Sequence, residues 1–373
     1  MSTGGVRHLY VHLPFCSSRC GYCDFVTLVG RREDHGRYVD ALLAELELEG
    51  PRLTSEVETV FVGGGTPTFT EPGELRRLLA ALPAAEEVSV EANPETVTPE
   101  LAALLRAGGV TRVSLGAQCF DERLLGVLDR RAGPDGVRRA FYHLRDAGFD
   151  NISLDLIYGI PGQEPSGLRR DLDEALALGP EHLSCYELEA KPGTRFTHAH
   201  GEELARQAES MEGYFELVVA TLIDAGYRWY ETANFCRNGR RARHNLAYWL
   251  GRDYLGVGIG AVSTVGGLRW RNLPALPRYL SALARGEAPP RELEPLPALT
   301  RIQERLMLGL RLDDPLPFAE VEEAVDPAAL GRLEGLGLVE RRAGGLLLTR
   351  RGRFLGGGVT AELLAEIPAN NYN

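Results

Sequence analysis

For nearly two hundred residues the chain repeats one pattern: a short apolar run, then a longer stretch with apolar residues three and four apart. Leu9–Leu13 predicts a strand, and residues 36–49 predict a helix with Val39, Leu42, Leu43 and Leu46 on one face. Thr59–Val62 predicts a buried strand that runs into Gly63-Gly-Gly-Thr-Pro67. The unit then recurs: helix 72–82 with strand 88–92, helix 99–107 with strand 112–116, helical stretches 121–129 and 134–147 with strand 152–157, and helix 166–178 with strand 182–187. Six strands alternating with helices predict a parallel sheet with right-handed crossovers. No strand reads as polar on alternate positions for long, so burial on both faces is expected. Two closures fit an α/β alternation of this kind, an open doubly wound sheet or a curved barrel.

Beyond Glu187 the regularity weakens. A long helix over 202–225 precedes a strand at Tyr227–Glu231, then a Gly-rich, aromatic region over 235–273. The Pro-rich stretch Pro289–Pro297 reads as a linker. After it come helices expected over 299–311, 317–323 and 327–335, and a hairpin over 337–349 turning at Gly344-Gly345. Three helices and a hairpin suggest a winged-helix-like domain, and the acidic balance favours a lid or docking role for it over DNA binding. The expected divisions are therefore a core over 1–235, an aromatic extension over 236–290, and a mainly helical C-terminal domain over 291–373.

Composition narrows the function classes. At 373 residues and 44% hydrophobic, the chain can bury a large core and a smaller second one. A net charge of −11, from 41 Lys+Arg against 52 Asp+Glu, argues against a broad nucleic-acid footprint and hence against a tRNA-modifying role. The N-terminus lacks an apolar signal core and no apolar run suffices to span a bilayer, so a cytoplasmic protein is expected.

The candidate chemistry sits at the end of the first strand. Cys16, Cys20 and Cys23 are spaced C-x3-C-x2-C. Three thiolates on a four-iron cubane leave one iron without a protein ligand, open to a chelating substrate. Structural zinc prefers four ligands, and no second pair of cysteines follows. A disulfide suits neither the parity nor the compartment. Cys119, Cys185 and Cys236 stand singly in apolar segments and read as core residues. Cys16, Gly63, Glu91, Gln118 and Asp155 all fall at or just beyond predicted strand C-termini, which share one face in a barrel. Carbonyls of the glycine turn can take an amine, a carboxylate at Glu91 can accept from ribose hydroxyls or an amine, and Arg130 can pair with a carboxylate. Asp155, within an apolar strand, needs buried partners.

The cysteine spacing resembles the signature of the radical S-adenosylmethionine superfamily. His-Leu-Pro-Phe-Cys, Tyr-Cys-Asp-Phe, Gly-Gly-Gly-Thr-Pro-Thr, Glu-Ala-Asn-Pro, Ser-Leu-Gly-Ala-Gln, Asp-Leu-Ile-Tyr-Gly-Ile-Pro-Gly and His244-Asn-Leu-Ala-Tyr-Trp249 resemble its coproporphyrinogen-oxidase-related branch. That resemblance implies a partial (β/α)6 barrel, open on one side, with a [4Fe-4S] cluster on Cys16, Cys20 and Cys23. It implies S-adenosylmethionine contacts at Tyr10, Tyr22, Gly64, Gly65, Thr66, Glu91, Gln118, Arg130 and Asp155.

Within the branch, Phe25 stands where the decarboxylating dehydrogenases typically carry a further cysteine, and only fifteen residues precede Cys16. Both features, and the His244 motif, resemble the heme-chaperone group. For that group heme, an acceptor hemoprotein and an electron donor such as flavodoxin or ferredoxin are the implied partners, with transient association with membrane hemoproteins and no nucleic acid. His244 is the candidate heme ligand. The alternative is an oxygen-independent coproporphyrinogen III dehydrogenase. Ala132 and Val262 depart from the pattern, where many relatives carry histidine, so porphyrin contacts do not carry over unchanged.

Overall fold

The structure is a computed structural model that describes residues 5–190 and 195–365. The expected domain limits at residues 1 and 373 lie outside the described residues. The strands β1 (His8–Leu13), β2 (Val57–Gly64), β3 (Ala85–Ala92), β4 (Arg112–Gln118), β5 (Ile152–Tyr158) and β6 (His182–Glu187) stand side by side in chain order, all parallel. A doubly wound sheet would reverse its order at a switch point. Here the order never reverses, so every crossover runs the same way and the helices stay on one side, the winding of a barrel. The crossovers are α1 (His35–Glu49), α2 (Pro72–Ala81), α3 (Pro99–Ala107), α4 (Glu122–Val127) with α5 (Pro134–Asp146), and α6 (Pro165–Leu178).

Both edges of this sheet are extended by later parts of the chain. Beyond β6 lie the antiparallel strands β7 (Arg228–Trp229) and β8 (Asn234–Cys236), and beyond β1 lies the parallel strand β9 (Leu255–Val257). The aromatic region thus contributes an edge strand. The two edge strands, β9 and β7, are not paired to each other, so the sheet is open.

The expectation of strands buried alike on both faces is corrected by the structure. Leu9, Val11, Val60, Val62, Val88, Val90, Val113, Leu115, Leu154 and Leu183 belong to the core between sheet and helices. The alternate positions are polar: His8, Tyr10 and His12; Thr59; Glu87, Ser89 and Glu91; Arg112 and Ser114; Ser153 and Asp155; His182 and Ser184. A period of two places these on the opposite, lumen-facing side. Because the sheet curls around them, most are buried, while Tyr10, Glu91, Ser114 and Asp155 are half-buried.

Other differences have local causes. The long helix splits into α7 (Arg195–Gln207) and α8 (Met211–Asp224), separated by a 3-10 turn at Ala208–Ser210. Phe196 on α7 packs with Leu124, Leu128 and Ile160, whereas Val218 and Leu222 on α8 pack in the main core, so the two helices serve different clusters. Tyr230 and Glu231 leave the strand to bond elsewhere: the Tyr230 hydroxyl meets His182 Nε2 at 2.7 Å, and Glu231 pairs with Arg311 at 2.6 Å. The expected Pro-rich linker contains a strand. After α9 (Arg243–Trp249), the strands β10 (Val262–Val265), β11 (Leu268–Asn272) and β12 (Arg291–Pro295) form a small antiparallel sheet, and α10 (Leu276–Ala284) lies between the last two. Pro289, Pro290 and Pro297 bracket β12, and Pro295 ends an edge strand where no ladder N–H is missed.

The C-terminal unit has its own apolar cluster, including Leu306, Leu316, Leu330, Leu333 and Leu346. It holds α11 (Ala298–Gly309), α12 (Pro327–Gly335), α13 (Arg350–Phe354), α14 (Gly356–Leu363) and a three-stranded sheet of β13 (Leu316–Pro317), β14 (Val339–Arg342) and β15 (Gly345–Leu348). The helix expected over 317–323 is instead strand β13, paired with Gly345 and Leu346, followed by two 3-10 turns. It meets the barrel through Arg228–Asp313 at 2.7 Å and through the Arg353 guanidinium, 3.5 Å over the Trp229 ring. No helix among the described residues is long and apolar enough to cross a membrane.

Candidate functional site

The cysteine loop leaves β1 and is pinned at both ends. Phe15–Cys16 pairs with Leu28–Val29, and Gly30 N–H donates to the Cys16 carbonyl at 2.8 Å. Beneath it the glycine turn is bonded to the same chain: Gly65 N–H donates to Leu13 O at 2.8 Å and Thr66 N–H to Phe15 O at 2.9 Å. The glycines are required by this packing. A Cβ on Gly64, whose φ is +116°, would lie 2.5 Å from the His12 ring, and one on Gly65 would lie 2.6 Å from Pro14. His12 is fixed in turn. Its Nε2–H donates to Val26 O at 2.9 Å, so Nδ1 accepts from the Tyr10 hydroxyl at 2.9 Å. Burial lowers its pKa to about 4, which keeps it neutral.

All six cysteines are free thiols, with Cys119, Cys185 and Cys236 buried, as expected of core residues. Thr66 Oγ1–H donates to Cys16 Sγ at 3.5 Å, and Arg130 lies 3.7 Å from Cys20 Sγ. Arg130 also donates to Gly116 O and to Asn93 Oδ1, both at 2.8 Å, and Asn93 donates to Thr66 Oγ1 at 2.9 Å. Asn93 therefore ties the two thiol-contacting residues together. Burial pulls the Arg130 guanidinium down, but Tyr22, Cys20 and Glu95 around it hold it above its ordinary value, so it is a fixed cation. Burial pushes the Cys16 thiol up to about 11 and the Tyr22 phenol upward as well. A thiolate at Cys16 thus calls for a bound cation. Among the described residues no three His, Cys, Asp or Glu side chains close around a single ion.

The remaining expected residues line the lumen below. Glu91 accepts from Gly64 N–H at 2.9 Å, and burial raises its pKa to about 7, with Asp155 adding to the rise. Asp155 is corrected from a strand end to mid-strand, since β5 continues to Tyr158. Its carboxylate accepts from Ser114 Oγ at 2.9 Å and Ser153 Oγ at 3.3 Å, and burial still raises its pKa. Gln118 ends β4 at a bulge with φ +68°, a left-handed conformation rare for a residue with a side chain. Tyr10 stacks on Phe61 at 6.1 Å between centroids.

His244 is placed apart from these groups. It is 1% exposed, its Nδ1 lies 2.7 Å from Thr59 Oγ1 and its Nε2 2.8 Å from the Tyr248 hydroxyl, and it stacks on Phe61. Both nitrogens are committed within the protein, so it offers none to an iron in this arrangement. Asn93, Ser114 and His12 were not singled out from the sequence. Asn93 lies two residues beyond Glu91 in Glu-Ala-Asn-Pro, and the other two sit in the polar register of their strands, which is the signal that finds them.

With the geometry in place, its relatives can be set beside it. The radical SAM superfamily model matches residues 10–175, and the HemN C-terminal domain model matches residues 296–355. The heme chaperone HemW of Mycobacterium tuberculosis is 40% identical over 370 residues, covering 95% of this chain and 94% of that one. The chain belongs to the HemW family. The Bacillus subtilis member is 32% identical over 97% of this chain and all of that one. Among solved structures, the coproporphyrinogen III oxidase HemN of Escherichia coli superposes with a TM-score of 0.80 at 24% identity, covering 96% of this chain and 90% of that one. That likeness is one of fold, and it includes the barrel and the C-terminal unit.

Proposed function

We propose that this chain is a heme chaperone that carries a [4Fe-4S] cluster on Cys16, Cys20 and Cys23, binds S-adenosylmethionine in the mouth of its barrel, and passes heme to an acceptor hemoprotein. The observation that carries the cluster and S-adenosylmethionine part is the thiol loop over the lumen, with Thr66 on Cys16 and Arg130 on Cys20. The heme part rests on the family, whose curated relatives are named heme chaperones. A bound cluster supplies an electron and an open iron. The chain's own residues supply the rest. Arg130, a half-buried permanent cation, balances thiolate charge and can take the carboxylate of the methionyl group. Thr66, Gly64 and Gly65 present a rigid backbone edge against which an amine can settle. Glu91 and Asp155 offer carboxylate oxygens inside the lumen for hydroxyl or amine donors, and Tyr10 closes the wall beside them. An electron donor such as flavodoxin or ferredoxin and transient contact with membrane hemoproteins belong to the same reading.

The test is anaerobic reconstitution, then titration with hemin and mixing with an apo-hemoprotein. Expected are a Soret band on hemin addition and its transfer to the acceptor. Absence of hemin uptake by reconstituted protein contradicts the reading. Formation of protoporphyrinogen from coproporphyrinogen III in the same preparation would favour the decarboxylase instead.

A further inference from the structure

Beside the cysteine loop, on the outer side of the barrel, α2, α3 and the turns that precede them enclose a concavity of about 630 Å3. That volume falls within the range of about 300–1,000 Å3 common for small-molecule sites. Its wall on the loop side is Ser17, the neighbour of Cys16. Phe69, Leu101 and Leu104 give it an apolar bed, and Arg32, Arg76 and Arg131 stand on its rim. Arg32 is paired with Glu71 and lies 4.6 Å over the Phe69 ring. Arg76 and Arg131 have no ion-pair partner among the described residues. Thr70 also lines the concavity; it is 2% exposed, and its hydroxyl has no hydrogen-bond partner among the described residues. A buried hydroxyl left in that state is satisfied by a bound ligand or water. Two carboxylates, Glu95 and Glu100, line it as well, Glu100 bonded to its own backbone N–H and Thr98 at the start of α3 and Glu95 in the field of Arg130. Arg76 and Arg131 are thus the rim cations that no carboxylate pairs among the described residues.

We propose that this concavity binds a tetrapyrrole dicarboxylate, its ring laid on Phe69, Leu101 and Leu104 and its propionates held by Arg76 and Arg131. The proposal rests on the heme-carrier reading above and gives the cargo a place, since His244 has no nitrogen to offer. A flat apolar body with two carboxylates matches a bed of apolar side chains edged by unpaired guanidinium groups, which bind carboxylates through paired N–H donors. Among the described residues, no histidine, cysteine, methionine or tyrosine lines the concavity. Recognition is then of ring and propionates, and the iron is left without a ligand from this wall.

The full-length protein is titrated with hemin, metal-free protoporphyrin IX and protoporphyrin dimethyl ester, following absorbance and porphyrin fluorescence. Hemin and the metal-free acid should bind with equal affinity and the ester more weakly. Arg76→Ala with Arg131→Ala should weaken both acids about tenfold or more, the loss of charge-assisted hydrogen bonds, and leave ester binding unchanged. Both arginines are exposed, so the melting temperature should not move; Arg76→Glu alone gives an independent loss if it does. Unchanged hemin affinity in the double variant and in Arg76→Glu overturns this site while leaving the carrier reading standing. Binding of hemin without binding of the metal-free acid does the same. Failure of the wild-type protein to bind any tetrapyrrole overturns both.

Discussion

The floor and the mouth of the barrel are built from the same alternation of polar and apolar residues, yet they end in different states. At the floor, Thr59 Oγ1 sits between His8 Nδ1 at 2.9 Å and His244 Nδ1 at 2.7 Å, and Tyr248 takes the other His244 nitrogen. Across the lumen, Ser153, His182 and Tyr230 form a second closed chain, with contacts of 2.8 and 2.7 Å. At the mouth, Glu91 has one backbone partner, Asp155 has serine partners and remains partly exposed, and Arg130 and Thr66 reach for sulfur. A polar group whose partners are all protein stabilises a fold. One with unused donor or acceptor capacity can recognise a ligand. Polarity inside a barrel does not by itself mark a site; spare capacity does.

That contrast is open to attack from either end. The largest effect is expected at the floor. His244→Ala removes a fully buried ring and leaves Thr59 and Tyr248 short of a partner, so urea unfolding should show a loss of about 3–5 kcal/mol. Hemin binding per folded molecule should not change. A variant as stable as wild type but unable to bind hemin would reverse the assignment and return His244 to the ligand role.

The next effect lies at the mouth and depends on pH. Burial raises the folded-state pKa of Glu91 to about 7, above its ordinary 4.5. Below pH 4.5 both states hold the proton. Between 4.5 and 7 only the folded state does, so its contribution to stability falls as pH rises through that window. Above pH 7 the ligand-free protein carries a cost of about 3 kcal/mol at this site. Glu91→Gln should therefore raise stability by that amount at pH 8 and by nothing at pH 4, while weakening S-adenosylmethionine binding. Equal melting temperatures for the two proteins at pH 8 would show that Glu91 has no unmet demand.

The smallest effect is on the outer surface. Arg228 is about half exposed and has both Asp313 and Asp314 as partners. Asp313→Ala should cost less than about 1 kcal/mol, even though the contact joins the C-terminal unit to the barrel. A larger loss in urea unfolding would mean that this joint contributes more than its geometry suggests.

Much of this was legible in the sequence. Apolar spacing placed the six parallel strands and their helices, because each helix must bury one stripe and each strand its aliphatic positions. The cysteine spacing, the glycine turn and the residues beyond Glu91 and Gly116 pointed to one face. What escaped notice was the polar register of the strands, although His8-Leu-Tyr-Val-His-Leu13 and Arg112-Val-Ser-Leu-Gly-Ala-Gln118 display it. Taken singly, a Ser or a His in a strand reads as an interruption; only the curl of the sheet turns the set into a lumen lining. Asn93 and Ser114 escaped for the same reason, since their importance lies in partners 27 and 41 residues away. Strand β12 was hidden by its flanking prolines, and the fate of His244 by the fact that Thr59 lies 185 residues earlier.

The central claim is that three thiolates at the mouth hold an iron cluster with one iron left open. It is tested most directly by anaerobic reconstitution of the wild-type protein and Cys20→Ala, with metal analysis and electron paramagnetic resonance of the reduced samples before and after S-adenosylmethionine. The account predicts four irons per wild-type chain, a spectrum that shifts when S-adenosylmethionine is added, and loss of the cluster in Cys20→Ala. Zinc in place of iron, a spectrum indifferent to S-adenosylmethionine, or a cluster that survives in Cys20→Ala would contradict it.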